Sequence, residues 1–413
     1  MNRNIRLLGF GAGVRLFGAA MVYPYISLYL YNILSLGYAK IGVLLLLISI
    51  IPLAVSPFGG LIADRAGRRR VFLLSLSGEA CSIFLIAESM LAAWLPGVLI
   101  GGIAAGVSGS IAGPAVSAYV ADFAVGSDRS KAFTWLRIGF NGGFTVGVAL
   151  GSVLIGYLGY ATTGLASSGI LAAGVLFLFL LLDPSPYDLD RQGLDPAAER
   201  DQQQGPGSIR ESVSILVNDR KFLVLCLAST LTGLVYGHWS TTFPLFVNTI
   251  LKVPIWTLGM ALALNGAIVT LGQTLTTRMM IGRRHTTAAI LGTLLYGVSF
   301  IALGGLSLFA PLFLVAVFGF VVILTVGENL GSIPSMTLPS NMAPKSSELG
   351  SYNGVYGMLS GIGGNFSPAL GGLILASVPN TLLIWVILAI PAIPAVLLYR
   401  WLSTRVPPTA NKI

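Results

Sequence analysis

Gly60-Leu61-Ile62-Ala63-Asp64-Arg65-Ala66-Gly67-Arg68-Arg69 is a charged turn that follows one apolar run, residues 40–62, and opens another, residues 71–93. Each run is long enough for a helix that crosses a bilayer: about 30 Å of hydrocarbon takes roughly 20 residues at 1.5 Å per residue. The segment reads as a membrane hairpin with a basic turn. The rest of the chain repeats that alternation of apolar run and polar turn.

Composition supports the membrane reading. Of 413 residues, 55% are hydrophobic and 9% are charged, whereas a soluble domain carries about 25% charge. So little charge cannot cover a water-facing surface, and coiled-coil, disordered, collagen-like and small secreted classes are excluded together. Cys81 and Cys226 lie inside apolar runs, so no disulfide framework or metal cluster is implied. The apolar stretch behind the first arginines runs on to Tyr31 with no A-x-A-like cleavage site, which makes it a retained span and not a signal peptide.

Breaking the apolar runs at charged, Pro and Asn/Gly clusters predicts twelve helices. They fall at residues 6–32, 40–62, 71–93, 96–120, 132–158 and 161–182, then 221–248, 254–279, 286–308, 311–335, 347–376 and 380–402. Barrel strands would alternate every second residue, and these runs do not. The expected class is an all-α membrane protein. Its domains are a six-helix bundle over 1–183, a linker over 184–219 and a second six-helix bundle over 220–413. The linker is rich in Pro, Gln and Gly and reads as flexible. Near its end Ser208 and Glu211 form a capping box, with Ile209, Val213 and Leu216 on one face of a short helix suited to the membrane surface.

Basic residues set the expected orientation. With both termini in the cytoplasm, inner segments hold 20 of the 24 Lys and Arg, and outer loops hold only Lys40 and Lys252. The net charge of +9 is then accounted for by an anionic inner leaflet, without nucleic acid.

The two halves look duplicated. Tyr23-Pro24-Tyr25 returns as Phe243-Pro244-Leu245, Gly67-Arg68-Arg69 as Gly282-Arg283-Arg284, and Ala149-Leu150-Gly151 as Ala369-Leu370-Gly371, each roughly 220 residues later. The lone outer lysines also correspond. Repeats of this kind accompany six-plus-six transporter folds.

The turn at 60–69 resembles the signature G-x-x-x-D-R-x-G-R-R of the major facilitator superfamily, in the position where that family carries it. The resemblance covers the whole chain and implies two pseudo-symmetric six-helix bundles that open alternately to the two sides. It also implies that Gly60, Asp64, Arg65, Gly67, Arg68 and Arg69 form a cytoplasmic latch, with Asp122, Arg129 and Lys131 as charge partners. On physical grounds Gly60 would allow close packing of its helix, and Asp64 would sit beside unpaired N–H groups at a helix start. The arginines would bind lipid phosphates or carboxylates; alternatively they are inner-side charges with no latch role. Two departures separate the chain from the proton-driven drug exporters of that superfamily. Gly102 stands where those carry an arginine four residues before a glycine, here Gly106. In span 5 Gly143 and Gly147 match, but Val148 and Ser152 replace a proline and a glycine.

Charged groups within spans are functional candidates because burying a charge at the bilayer centre costs about 2.5–3.5 kcal/mol on the lenient scale. Arg15 and Glu79 lie at similar depths, some 14 and 12 Å from the same side, and can pair if their faces meet. Glu328, in Gly327-Glu328-Asn329-Leu330-Gly331-Ser332, is a candidate for coupling or solute contact. Glu88 and Arg137 equally suit an interfacial role. His238 is a candidate proton carrier or a packed core residue. The resemblance places Tyr23 and Tyr25 along the central cavity, where they could stack on a solute; interhelical packing is the alternative.

The expected function is secondary active transport of a small, amphipathic solute across the cell membrane by alternating access, as proton-coupled multidrug-type efflux and antiport. Glu328, Glu79 or His238 would carry the proton. The alternative is an importer or facilitator of a small metabolite (a sugar, amino acid or organic anion), and Arg15 and Arg137 would suit an anion. No G-x-x-x-x-G-K-[ST] loop occurs, so ATP is not the expected energy source. Neither the carboxylate clusters of a membrane enzyme nor a channel's ring of charges is present in the sequence. No cofactor or metal is expected, and the resemblance implies a monomer.

Overall fold

The structure, a computed structural model, describes residues 2–56, 58–123, 128–184, 186–191, 219–344 and 348–413, at a few of them the backbone alone. The capping box at Ser208 and Glu211 lies outside the described residues. Twelve helices are long and apolar enough to cross a membrane. Numbered in chain order as spans 1 to 12, they are Arg3–Asn32, Tyr38–Val55, Arg68–Leu91, Leu95–Phe123, Lys131–Leu158 and Tyr160–Leu181, then Arg220–Ile250, Ile255–Met280, His285–Leu306, Ala310–Met342, Ser351–Ser377 and Thr381–Ser403.

Most limits fall within a few residues of those expected from sequence, and the exceptions involve proline. Span 2 ends at Val55, and a separate helix, Phe58–Ala66, carries the remainder of the expected 40–62 run. Pro57 can donate no backbone hydrogen bond and disfavours helix in the residue before it. Span 10 continues to Met342 through Pro334 and Pro339, past the expected end at 335. Both prolines are buried, so packing offsets the hydrogen bonds that they forgo. The first part of the expected linker is also ordered: Pro186–Arg191 is a helix, with Pro186 at its first position.

Contacts divide the chain into two compact units, residues 1–29 with 47–205 and residues 30–46 with 206–413. In the first, span 1 packs on spans 5 and 6, and span 3 on spans 4 and 6, with Phe58–Ala66 against span 4. In the second, span 7 packs on spans 11 and 12, span 9 on spans 10 and 12, and span 8 against span 10. Each pairing of the first unit recurs six spans later, as the duplicated motifs predict. Phe72, Tyr119 and Leu178 centre one core; Phe222, Tyr352 and Leu402 centre a core of the other. Large apolar side chains such as Leu74, Leu176 and Leu271 are exposed, as lipid-facing residues must be.

The duplication extends to backbone detail. Span 1 tightens to a 3-10 turn at Tyr23–Tyr25, where Pro24 interrupts the helix, and span 7 breaks at Gly237–Trp239 just before Pro244. Gly67 and Gly282, at the two Gly-Arg-Arg turns, both hold positive φ, +92° and +79°, which a side chain would strain. The tight pairs are built alike. A Cβ on Gly143 of span 5 would collide with the Gly13 carbonyl oxygen of span 1, and one on Gly363 of span 11 with the Thr230 carbonyl oxygen of span 7. Small residues let backbones approach where lipid supplies no hydrophobic drive.

Candidate functional site

Three clusters of polar groups stand on these spans. In the first unit, Arg15 of span 1 donates from Nε to Glu79 Oε2 of span 3 at 2.6 Å. The side chains are 14% and 1% exposed, so the similar depths read from sequence correspond to a buried ion pair. The guanidinium lies on Gly109 of span 4, where a Cβ would collide with Nη2. The pair is therefore fitted against three helices. Tyr23 lies within electrostatic reach of both charges, and its hydroxyl is buried without a hydrogen-bond partner among the described residues. Tyr25 is enclosed instead: it is 1% exposed and its hydroxyl donates to the Val148 carbonyl at 2.6 Å. Its ring offers no free face to a solute, which corrects the stacking role expected for it. Arg137 is half-buried on span 5, and Glu88 is exposed near the end of span 3.

The second cluster is the basic turn. Arg68 bridges two carboxylates, with Nη2 at 3.2 Å from Asp64 Oδ1 and Nη1 bound to Asp122. Arg69 donates from Nε and Nη2 to the carbonyls of Leu182 and Phe179, both at 2.7 Å. Arg65 is exposed. Two expectations are corrected. Asp64 does not face the helix start; Asp188 does, accepting from the amides of Arg68 and Arg69 at 2.7 and 3.1 Å. Asp188 thus caps span 3 from a separate segment, a position where a carboxylate meets orphan N–H groups and the positive end of the helix dipole. Gly60 makes no close approach among the described residues, where a Cβ would meet nothing within 4 Å. The close approach belongs to Gly59, whose Cβ would lie 3.0 Å from the Ser110 carbonyl oxygen. Gly59 and the buried Ala63 are one turn apart and face span 4, while Gly60 points about 100° away. The Arg129 side chain lies outside the described residues.

The third cluster surrounds a cavity of about 280 Å³ within the second unit. Tyr236 and Thr232 of span 7, Tyr296 and Thr293 of span 9, Glu328 of span 10 and Tyr356 of span 11 are among its walls. Glu328 is half-buried and accepts from Asn265 Nδ2 of span 8 at 2.8 Å; the same nitrogen lies 3.0 Å from Thr325 Oγ1. The chain neighbour Asn329 points elsewhere, donating to the Ile268 carbonyl at 3.3 Å. Tyr236 hydrogen-bonds Glu328, and Tyr296 is close enough to feel its charge. Ser229 joins the hydroxyls of Tyr356 and Tyr399 at 2.9 and 3.0 Å. One carboxylate among tyrosines, serines and threonines can hold a proton, or a cationic or hydroxyl-bearing solute.

His238 is not part of that wall. It is fully buried, its Nδ1 lies 2.9 Å from Thr242 Oγ1, and its ring packs edge-on to Phe300. Sequence reasoning singled out His238, Glu79 and Glu328 by charge. It read Asn265 only as a polar group of the kind that bridges helices, with no role of its own, and it missed Tyr236, Tyr296 and Asp188, although a tyrosine in an apolar span signals a hydroxyl in need of a partner.

Comparison with known proteins agrees with this architecture. The family profile described as Major Facilitator Superfamily matches residues 8–346. A Na(+), Li(+), K(+)/H(+) antiporter from Planococcus maritimus is 28% identical over 349 residues, 79% of each chain. The quinolone resistance protein NorA of Staphylococcus aureus is 26% identical over 156 residues, 37% of this chain and 39% of that protein. Among solved structures, a POT family transporter in complex with 5-aminolevulinic acid superposes with a TM-score of 0.79 at 14% identity, covering 98% of this chain and 97% of the other. Twelve spans in two duplicated bundles, the Gly-Arg-Arg turns and a profile match over most of the sequence place the chain in the Major Facilitator Superfamily, as a multi-pass membrane transporter.

Proposed function

We propose that the chain is a proton-coupled antiporter that exports a small, weakly cationic amphipathic solute across the plasma membrane, with both termini cytoplasmic. The carrying observation is the cavity of about 280 Å³ with Glu328 as the one charged residue among its described walls. A carboxylate held by Asn265 and Tyr236 can bind a proton or a cation but not both at once, which is the competition that antiport requires. The cavity lies at the small end of ligand-pocket sizes and is rich in tyrosine, which suits a compact solute with an apolar body. The relatives named above support the class: one is an ion/proton antiporter and another a quinolone resistance protein. Arg15, lying against span 4 at Gly109, offers from span 1 a positive charge that the resembled exporters carry on span 4 itself. The positive-inside distribution supports the orientation, and the family supports the rocking of one bundle against the other.

The test is transport by the full chain in proteoliposomes under an imposed pH gradient, read with a fluorescent lipophilic cation such as ethidium. Accumulation should follow the gradient and reverse with it. Glu328→Gln should abolish gradient-driven accumulation while leaving solute exchange at equal pH. Accumulation by that variant equal to wild type would remove Glu328 from coupling. If no gradient of either sign drives solute movement, coupled transport itself fails.

A further inference from the structure

At the basic end of the first unit, two concavities share a rim. The outer one, about 430 Å³, is lined by Arg65, Arg69, Arg70 and Asp188 together with Gly67 and Pro184. The inner one, about 630 Å³, begins at the same Arg69 and Arg70 and runs down between span 3 and span 6. Its walls are Leu73, Leu74 and Ser77 on one side and Ala172, Val175, Leu176 and Phe179 on the other. On each helix these residues follow the spacing of a single face over about two turns, roughly 10 Å. Leu74, Leu176 and Phe179 are 62%, 60% and 58% exposed, so the groove opens outward from the bundle and is no part of its core.

From this juxtaposition of a cationic cup and an apolar groove we infer a binding site for an anionic glycerophospholipid. The phosphodiester sits among Arg65, Arg69 and Arg70, and an acyl chain lies between spans 3 and 6. Charge complementarity selects this occupant. Arg65 and Arg70 are exposed and make no hydrogen bond or ion pair among the described residues. Arg69 is held at the rim by the Leu182 and Phe179 carbonyls, with its guanidinium 5.5 Å from the centre of the Phe179 ring. Asp188, the one acid among the described residues that line the cup, directs its two oxygens at the amides of Arg68 and Arg69. Among the described residues, three arginines against one carboxylate leave the cup net positive, which favours an anionic over a zwitterionic headgroup. A free phosphate would leave the groove empty; an acyl chain fills it.

The site is separate from the cavity at Glu328 and does not depend on what the chain transports. Its occupant would brace the Gly67 turn, tying the start of span 3 to the end of span 6 and to the Pro186–Arg191 helix.

The test is thermal melting of the purified, delipidated full chain in detergent, titrated separately with dioleoyl-phosphatidylglycerol, dioleoyl-phosphatidylcholine and inorganic phosphate. Phosphatidylglycerol should raise the melting temperature saturably, and the other two should not. R65Q/R70Q should weaken the midpoint of that titration by about 25-fold, at roughly fivefold per surface cation. Ala172→Phe, which fills the groove and leaves every charge in place, should also weaken it. R400Q/R405Q, which removes two arginines at the end of span 12, should leave it unchanged. The site is refuted if inorganic phosphate alone reproduces the shift, if R400Q/R405Q weakens it as much as R65Q/R70Q, or if Ala172→Phe binds phosphatidylglycerol as well as wild type.

Discussion

Neutralising Glu79 tests whether the Arg15–Glu79 pair holds the first bundle together. The nitrogen and oxygen are 2.6 Å apart, and the carboxylate is 1% exposed. Glu79→Gln keeps the shape but leaves the Arg15 guanidinium, pressed against Gly109, without a counter-charge. Removing one member of a buried pair costs about 3–5 kcal/mol. For a unit of this size, roughly 2–4 °C per kcal/mol gives a fall in melting temperature of between about 6 and 20 °C. Arg15→Met should cost less, because an orphaned carboxyl can take up a proton whereas a guanidinium does not release one. The double variant R15M/E79Q buries no charge and should recover most of the loss, as neutral replacements of buried pairs do. The assay is a double-mutant cycle of melting temperatures for the purified chain in one detergent. If Glu79→Gln melts within 2 °C of wild type, or if the two single effects simply add in the double variant, the pair is not the tie described.

Other outcomes follow from the same geometry. Gly143→Val and Gly363→Val each drive a side chain into a backbone carbonyl of the facing span, so both should cost at least about 1–3 kcal/mol, visible as loss of monodisperse protein in fluorescence-detected size exclusion. Gly60→Ala meets open space and should leave the melting temperature equal or higher, by up to about 1 kcal/mol; a transport defect with intact stability would assign Gly60 to the latch. Asp188→Ala removes the carboxylate that caps span 3 and should destabilise the turn by about 1–2 kcal/mol, read as faster tryptic cleavage at Arg68, Arg69 or Arg70 in membranes. Tyr236→Phe deletes a hydroxyl beside Glu328 and should raise the KM for the transported cation roughly fivefold with expression unchanged.

Within the sequence itself, hydropathy and the spacing of charged turns were enough for twelve helices, two related halves and the family. Crossing a bilayer forces each span to be long, apolar and internally hydrogen-bonded, so the pattern is written locally. The duplication was legible for the same reason: Pro24 and Pro244 each fall near a helix break, and Gly67 and Gly282 each need positive φ. Depth along a helix was also legible, which is why Arg15 and Glu79 could be matched before their faces were known.

Partners across helices were a different matter. Whether Gly59 or Gly60 meets span 4, whether Asn265 or Asn329 holds Glu328, and whether Asp64 or Asp188 caps span 3 each turn on a rotation of about 100° or on a segment far away in the chain. Asp188 lies in a stretch that reads as linker, and nothing near it in sequence announces its docking on Arg68 and Arg69. The cavity at Glu328 draws its walls from spans 7, 9, 10, 11 and 12, so it exists only once those faces are brought together. Sequence fixes what each helix can bury along its length; tertiary packing selects which side chains meet, because in lipid that choice is made by backbone fit and polar pairing and not by hydrophobicity, which every face of these helices shares.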